Sequence, residues 1–143
     1  VFVIATANDI ERLPAEFLRK GRFDEVFYVD LPTAAERGQI WSVHLDRRLR
    51  NAPAAGGLVV DDAVTRRLVE ASEGYSGAEI EHAVIAGLFE AYAERRPLTV
   101  EDMLLALAAT VPLSVTQAEQ VERIRTWANL RAVAATAAYD RFA

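Results

Sequence analysis

The sequence predicts a mostly α fold, in which a two-strand remnant of an α/β sheet precedes an all-helical unit of four helices and one extra C-terminal helix. Three observations carry this. The N-terminal residues run apolar strand, short amphipathic stretch, apolar strand, which is the order of an α/β unit. From Thr33 onward apolar positions recur at three- and four-residue spacing, and most such runs open on a capping signal. The 143 residues are 52% hydrophobic, ample for a core at the size of one ordinary domain.

The chain opens on "VFVIATAND", so residues 1–6 are expected to form a strand buried on both faces of a parallel sheet. A buried strand in that position points to a segment cut from a longer protein, inside a domain. Residues 10–18 fit a short helix with Pro14 in its first turn, and residues 26–30 a second strand ending at Leu31 and Pro32. In "TAAE", Thr33 and Glu36 form a capping box for a helix to about Arg50, where "NAPAAGG" interrupts. "DDAVTRRLVEAS" follows with Val64, Leu68 and Ala71 on one helical face. Ser76 and Glu79 make a second capping box, ahead of a stripe of Ile80, Val84, Leu88, Ala91 and Tyr92 that runs to the break at Pro97. "TVED" begins a helix carrying Met103, Leu104 and Leu107, which Pro112 ends. "SVTQ" then opens a last long helix through Ile124 and Trp127 into the alanine-rich "RAVAATAA", read as a frayed helix end. The organisation is therefore residues 1–32, 33–111 and 112–143, with a hinge at 31–34.

Composition narrows the function classes. A net charge of -5 argues against coating nucleic acid, which needs a clustered basic face. No apolar run is long enough to span a bilayer, and a cytoplasmic setting with no membrane association is expected. Cysteine is absent, which removes disulfides, thiolate metal sites and cysteine nucleophiles. His82 has no ligand partner at metal-binding spacing, so no metal site is expected.

Four positions draw attention as chemistry. In "FLRKGRFDE", Arg19 and Arg22 flank Gly21. They read either as a helix C-terminus, with a left-handed cap glycine and dipole-complementing cations, or as a loop presenting two guanidinium groups to an anion. Asn8 is either a helix cap or an amide that reads a phosphate, since an amide donates to phosphate while accepting from water. His44 falls one turn after Ile40, as a helix-surface imidazole or as part of a pocket wall.

Four stretches in order, "ATAND" at 5–9, "LRKGRFDE" at 18–25, "IWSVH" at 40–44 and "GYSGAEI" at 74–80, together resemble the C-terminal part of the AAA ATPase module over residues 1–110. Beyond that point the chain is most similar to the AAA proteins of hypothetical reading frames in algal plastids and cyanobacteria. The resemblance implies a P-loop NTPase sheet remnant followed by an AAA lid domain, and a parent protein that binds and hydrolyses ATP with Mg2+ in a homo-oligomeric, hexameric ring to remodel a protein partner. It implies that Asn8 is the sensor beside the γ-phosphate and that Arg19 and Arg22 are arginine fingers reaching a neighbouring subunit's site. A planar, always-charged fork there compensates the charge that builds on phosphoryl oxygens. It further implies that Ile40 and His44 line the adenosine pocket, and that Gly77 and Ala78 let backbone approach the nucleotide, where the start of the helix favours a nearby anion. Ala78 stands where many relatives place a lid arginine, so no such arginine is nominated.

What is missing also bears on function. No GxxxxGK[ST] loop is present, and Lys20 is the only lysine. This polypeptide alone is therefore expected neither to hold ATP tightly nor to hydrolyse it. The family's sheet order, 5-1-4-3-2, makes residues 1–6 and 26–30 strands 4 and 5, whose shared neighbour is not in this sequence. Residues 1–31 are thus expected to pair abnormally, swap between chains or pack on another copy. The rival function is a non-catalytic interaction or scaffold domain derived from an AAA lid, binding a partner through Trp127 and the last helix. A DNA-processing role is disfavoured by the acidic balance.

Overall fold

Thr33 starts the helical part of the molecule. Its Oγ1 accepts from the Glu36 amide at 3.3 Å, while Glu36 Oε2 accepts from the Thr33 amide at 2.8 Å, and helix α1 (Ala34–Leu49) follows. Asp61 caps α2 (Asp62–Ala71) by accepting from the Val64 amide at 2.8 Å. Ser76 and Glu79 cap α3 (Gly77–Ala93), and Thr99 and Asp102 close the start of α4 (Val100–Ala108). A single-turn helix, α5 (Leu113–Thr116), comes next. The computed structural model describes residues 1–9, 14, 16, 19, 21, 23–50 and 57–136. The expected helix at 10–18, the loop at 51–56 and Arg22 lie wholly or mostly outside the described residues.

Helices α1 to α5 fall in one compact unit, Leu31–Ala118. Within it α3 packs on α4 and α1, and α2 packs on α1 and α4. The apolar faces meet in a core of Trp41, Leu45, Leu68, Ile80, Val84, Leu98, Met103 and Leu107. Buried polar groups in this core are given partners, as burial requires. Trp41 Nε1 donates to Ser72 Oγ at 3.0 Å, which donates onward to the Leu68 carbonyl at 2.7 Å. Arg37 is buried, its Nε donating to the Val69 carbonyl and its Nη1 to that of Pro32. Ala71 and Tyr92, expected on apolar faces, are exposed, and Ala83 and Gly87 are buried instead. Helix α3 is apolar nearly all round, so periodicity alone could not fix its inward face.

The second unit combines Val1–Asp30 with Glu119–Ala143. Strand β1 (Phe27–Tyr28) pairs in parallel with β2 (Val133–Ala134), which directly follows helix α6 (Ala118–Arg131). The Val133 amide donates to the Val26 carbonyl and the Ala135 amide to that of Tyr28, both at 2.9 Å. Arg125 on α6 grips Asp30 with two donors, Nε at 2.8 Å to Oδ2 and Nη2 at 3.0 Å to Oδ1. Parallel strands need a return leg, and α6 supplies it.

Three expectations are corrected here. Residues 1–6 are exposed and form no strand, because an apolar strand without hydrogen-bonded neighbours gains nothing from extension. The two-strand sheet draws its second strand from the alanine-rich tail, where a frayed helix was expected; β-branched Val133 beside an open strand edge favours pairing over helix. Ser114 does not open the last helix. The chain instead breaks at Gln117. Residues 113 and 114 are fastened to the helical unit, the Leu113 amide donating to Glu79 Oε1 at 2.9 Å and the Ser114 amide to the Gly74 carbonyl at 3.4 Å.

Candidate nucleoside site at the seam of two helices

Ile40, His44 and Arg48 follow one another at four-residue spacing and so share a face of α1, as Gly77 and Glu81 share a face of α3. The two helices pack together, and these rows meet rung by rung. A Cβ added at Gly77 would lie 3.6 Å from Ile40 Cδ1, an ordinary van der Waals contact, so Gly77 brings the α3 backbone close to the Ile40 side chain. One turn on, His44 Nδ1 stands 3.6 Å from Glu81 Oε1, and Arg48 Nη2 donates to the same oxygen at 3.1 Å. The His44 side chain is 19% exposed, while its Nδ1 is buried without a hydrogen-bond partner among the described residues. Ile40 is half-buried and Ala78 exposed.

The start of α3 is satisfied in part by the chain itself. Glu79 Oε2 accepts from the Ser76 amide and hydroxyl, both at 2.7 Å, and its Oε1 accepts from the Leu113 amide. Glu79 thus places a carboxylate of the chain itself beside this helix start. The preceding residues of "GYSGAEI" are structural too. Gly74 is in the left-handed region at φ +77°, and a Cβ there would collide with Ser114 Oγ. Tyr75 is buried, its hydroxyl directed at the carbonyls of Leu107 (2.8 Å) and Thr110 (2.7 Å), and burial, then the charge of Glu79, pushes its pKa up.

The seam thus offers an apolar wall at Ile40, a close approach at Gly77 and Ala78, and an imidazole. That set fits a flat heteroaromatic ring with a polar edge, such as the base of a nucleoside. It does not fit the phosphates, because Arg48, the cation of the seam, is engaged by Glu81. Sequence reasoning missed Arg48 and Glu81, although the shared four-residue spacing could have found them.

Asn8 and Arg19 belong to the other unit, and both are exposed. The Arg19 amide donates to the Glu16 carbonyl at 3.4 Å, and Gly21 is in a turn, left-handed at φ +93°. His82 is exposed. Among the described residues no helix is long and apolar enough to cross a membrane.

No family model matches the chain. Curated proteins do. The chain is 41% identical over 128 residues to an uncharacterized AAA domain-containing protein, ycf46, of Pyropia yezoensis, covering 90% of the chain and 25% of that protein. It is 36% identical over 129 residues to the protein of the same description in Trieres chinensis, again 90% of the chain and 24% of the relative. An ATP-dependent zinc metalloprotease FtsH of Acidothermus cellulolyticus is 44% identical over 108 residues, 74% of the chain and 15% of that protein. The chain spans about a quarter of the length of the first two.

Proposed function

Because the chain belongs with the AAA domain-containing proteins, we propose that it supplies the sensor, arginine fingers and lid of an ATPase that works as a ring, hexameric by the resemblance, and remodels a protein partner. In this reading Ile40, Gly77 and Ala78 pack against the adenine face and His44 meets its polar edge. Asn8 orients the attacking water beside the γ-phosphate of its own subunit's site. Arg19 and Arg22 enter the site of the adjoining subunit, where their guanidinium forks stabilise charge on the phosphoryl oxygens as it develops. Residues outside these 143 would hold Mg2+ and form a phosphate-cradling loop, which would together draw charge off the phosphates. The chain alone neither holds ATP tightly nor hydrolyses it.

The observation that carries this reading is the convergence of Ile40, His44 and Gly77 on one seam, in a chain similar over nine-tenths of its length to AAA proteins. It is tested by nucleotide binding in the complete protein. Replacing His44 by Ala is expected to weaken ADP about tenfold, roughly 1.4 kcal/mol. An unchanged Kd would contradict the placement of the base at this seam.

A further inference from the structure

Glu81 stands where nothing in the nucleotide reading requires a charge. It is half-buried on α3, and Arg48 Nη2 fixes its Oε1 at 3.1 Å. That oxygen faces His44 Nδ1 at 3.6 Å, a few tenths of an ångström beyond hydrogen-bond length, and Nδ1 is otherwise buried without a partner. A buried ring nitrogen is not left facing a carboxylate without consequence, since the hydrogen bond made by one nitrogen decides which nitrogen carries the proton.

We infer that Glu81 is a positioning residue for nucleotide binding: held by Arg48, it keeps the His44 proton on Nδ1 and so leaves Nε2 as a bare acceptor, suited to an exocyclic amino group or a ribose hydroxyl. This rests on the reading of the seam as the nucleoside site. The geometry supports the direction. A carboxylate only accepts, so the nitrogen facing it is the one that donates. Arg48 donates to Glu81 and has no acceptor to offer the imidazole. The nitrogen left free on the opposite edge of the ring presents a lone pair. Adenine's amino group and the ribose hydroxyls are donors, whereas a guanine carbonyl at the same edge is an acceptor and would meet that lone pair unfavourably.

Two measurements test this, on the 143-residue chain and on the complete protein. Imidazole 15N shifts of His44 in the chain, above the pH at which the ring is charged, are expected to report the Nδ1–H form. In Glu81→Leu, which leaves Nδ1 without an acceptor to face, they are expected to report the Nε2–H form. Identical tautomers in the two proteins overturn the inference. In the complete protein, Glu81→Leu is expected to weaken ADP about tenfold, matching His44→Ala, with no further loss in the double variant. If His44→Ala weakens ADP and Glu81→Leu does not, Glu81 is not a positioning residue and the seam reading survives. If neither does, the seam reading itself is overturned, and the inference with it.

Discussion

Gly74 tolerates no side chain. Its φ of +77° is unfavourable for any residue with a Cβ, and the space a Cβ would take is held by Ser114. Gly74→Ala is expected to destabilise the helical unit by about 2–3 kcal/mol in urea denaturation, combining left-handed strain with a displaced neighbour. Its neighbour Tyr75 acts through one hydroxyl, so Tyr75→Phe should cost about 1 kcal/mol. A neutral Gly74→Ala would show that residues 113–116 are not fastened where the structure places them. Little of this was legible in the sequence. "GYSG" announces a helix start, but the acceptors of Tyr75 lie 32 and 35 residues away, and a spacing of that size carries no local signal. At the seam, Ile40, His44 and Gly77 could be nominated through family resemblance. Glu81 could not, because its role depends on helices α1 and α3 meeting in one register.

Helices α1, α2 and α3 each begin on a polar residue whose side chain accepts from one of the helix's own amides, while the start of α4 is held by the carboxylate of Asp102. Asp102 is buried and accepts two hydrogen bonds from Arg96, both at 2.7 Å, and two more from the Thr99 amide and hydroxyl. Arg96 above all holds its carboxyl well below the usual carboxylate range; burial opposes this, and the Thr99 bonds add to it. A carboxyl whose folded pKa is depressed stabilises fully above its unfolded value, near 3.9, and that contribution fades as pH falls below it. Thermal unfolding should therefore show a steep loss of stability from about pH 5 downward, and Asp102→Asn should flatten that slope while costing about 2 kcal/mol at neutral pH. Equal slopes in the two proteins would remove Asp102 from the account. The capping boxes at Thr33 and Ser76 were legible because their partners sit three residues apart, and the helix at "TVED" for the same reason. The face of α3 and the strand in the tail were not. One depends on which neighbours a uniformly apolar helix finds, the other on a pairing between residues more than a hundred positions apart.

The molecule returns to its beginning at its end. Residues 119–136 rejoin the unit that starts at Val1, so the helical unit is inserted in sequence between β1 and α6. The Arg125 fork on Asp30 is partly exposed on both sides, at 40% and 36%, and solvent limits its contribution to about 1 kcal/mol. Arg125→Ala should accordingly lower the hydrogen-exchange protection of the Val133 and Ala135 amides about fivefold. Tyr28 reports on the same junction. Burial first, then the charge of Asp30, push its hydroxyl up to about 12, with Arg125 opposing. Because the folded value is raised, the stability linked to Tyr28 is whole below about pH 10 and is lost as pH rises toward 12. Ultraviolet titration should place Tyr28 near 12. A midpoint at 10 would mean that the junction is open to water.

The division of labour between subunits is the central claim, and complementation in mixed rings of the complete protein tests it most directly. Asn8 is assigned to its own subunit's site and Arg19 to the neighbour's. Rings made wholly of Asn8→Ala or wholly of Arg19→Ala should each hydrolyse ATP poorly. Mixed one to one before assembly, they should regain activity at about a quarter of the sites, by random pairing around the ring, wherever an intact Asn8 meets an Arg19 from next door. A mixture no more active than its components would place both residues in the same site and contradict the account.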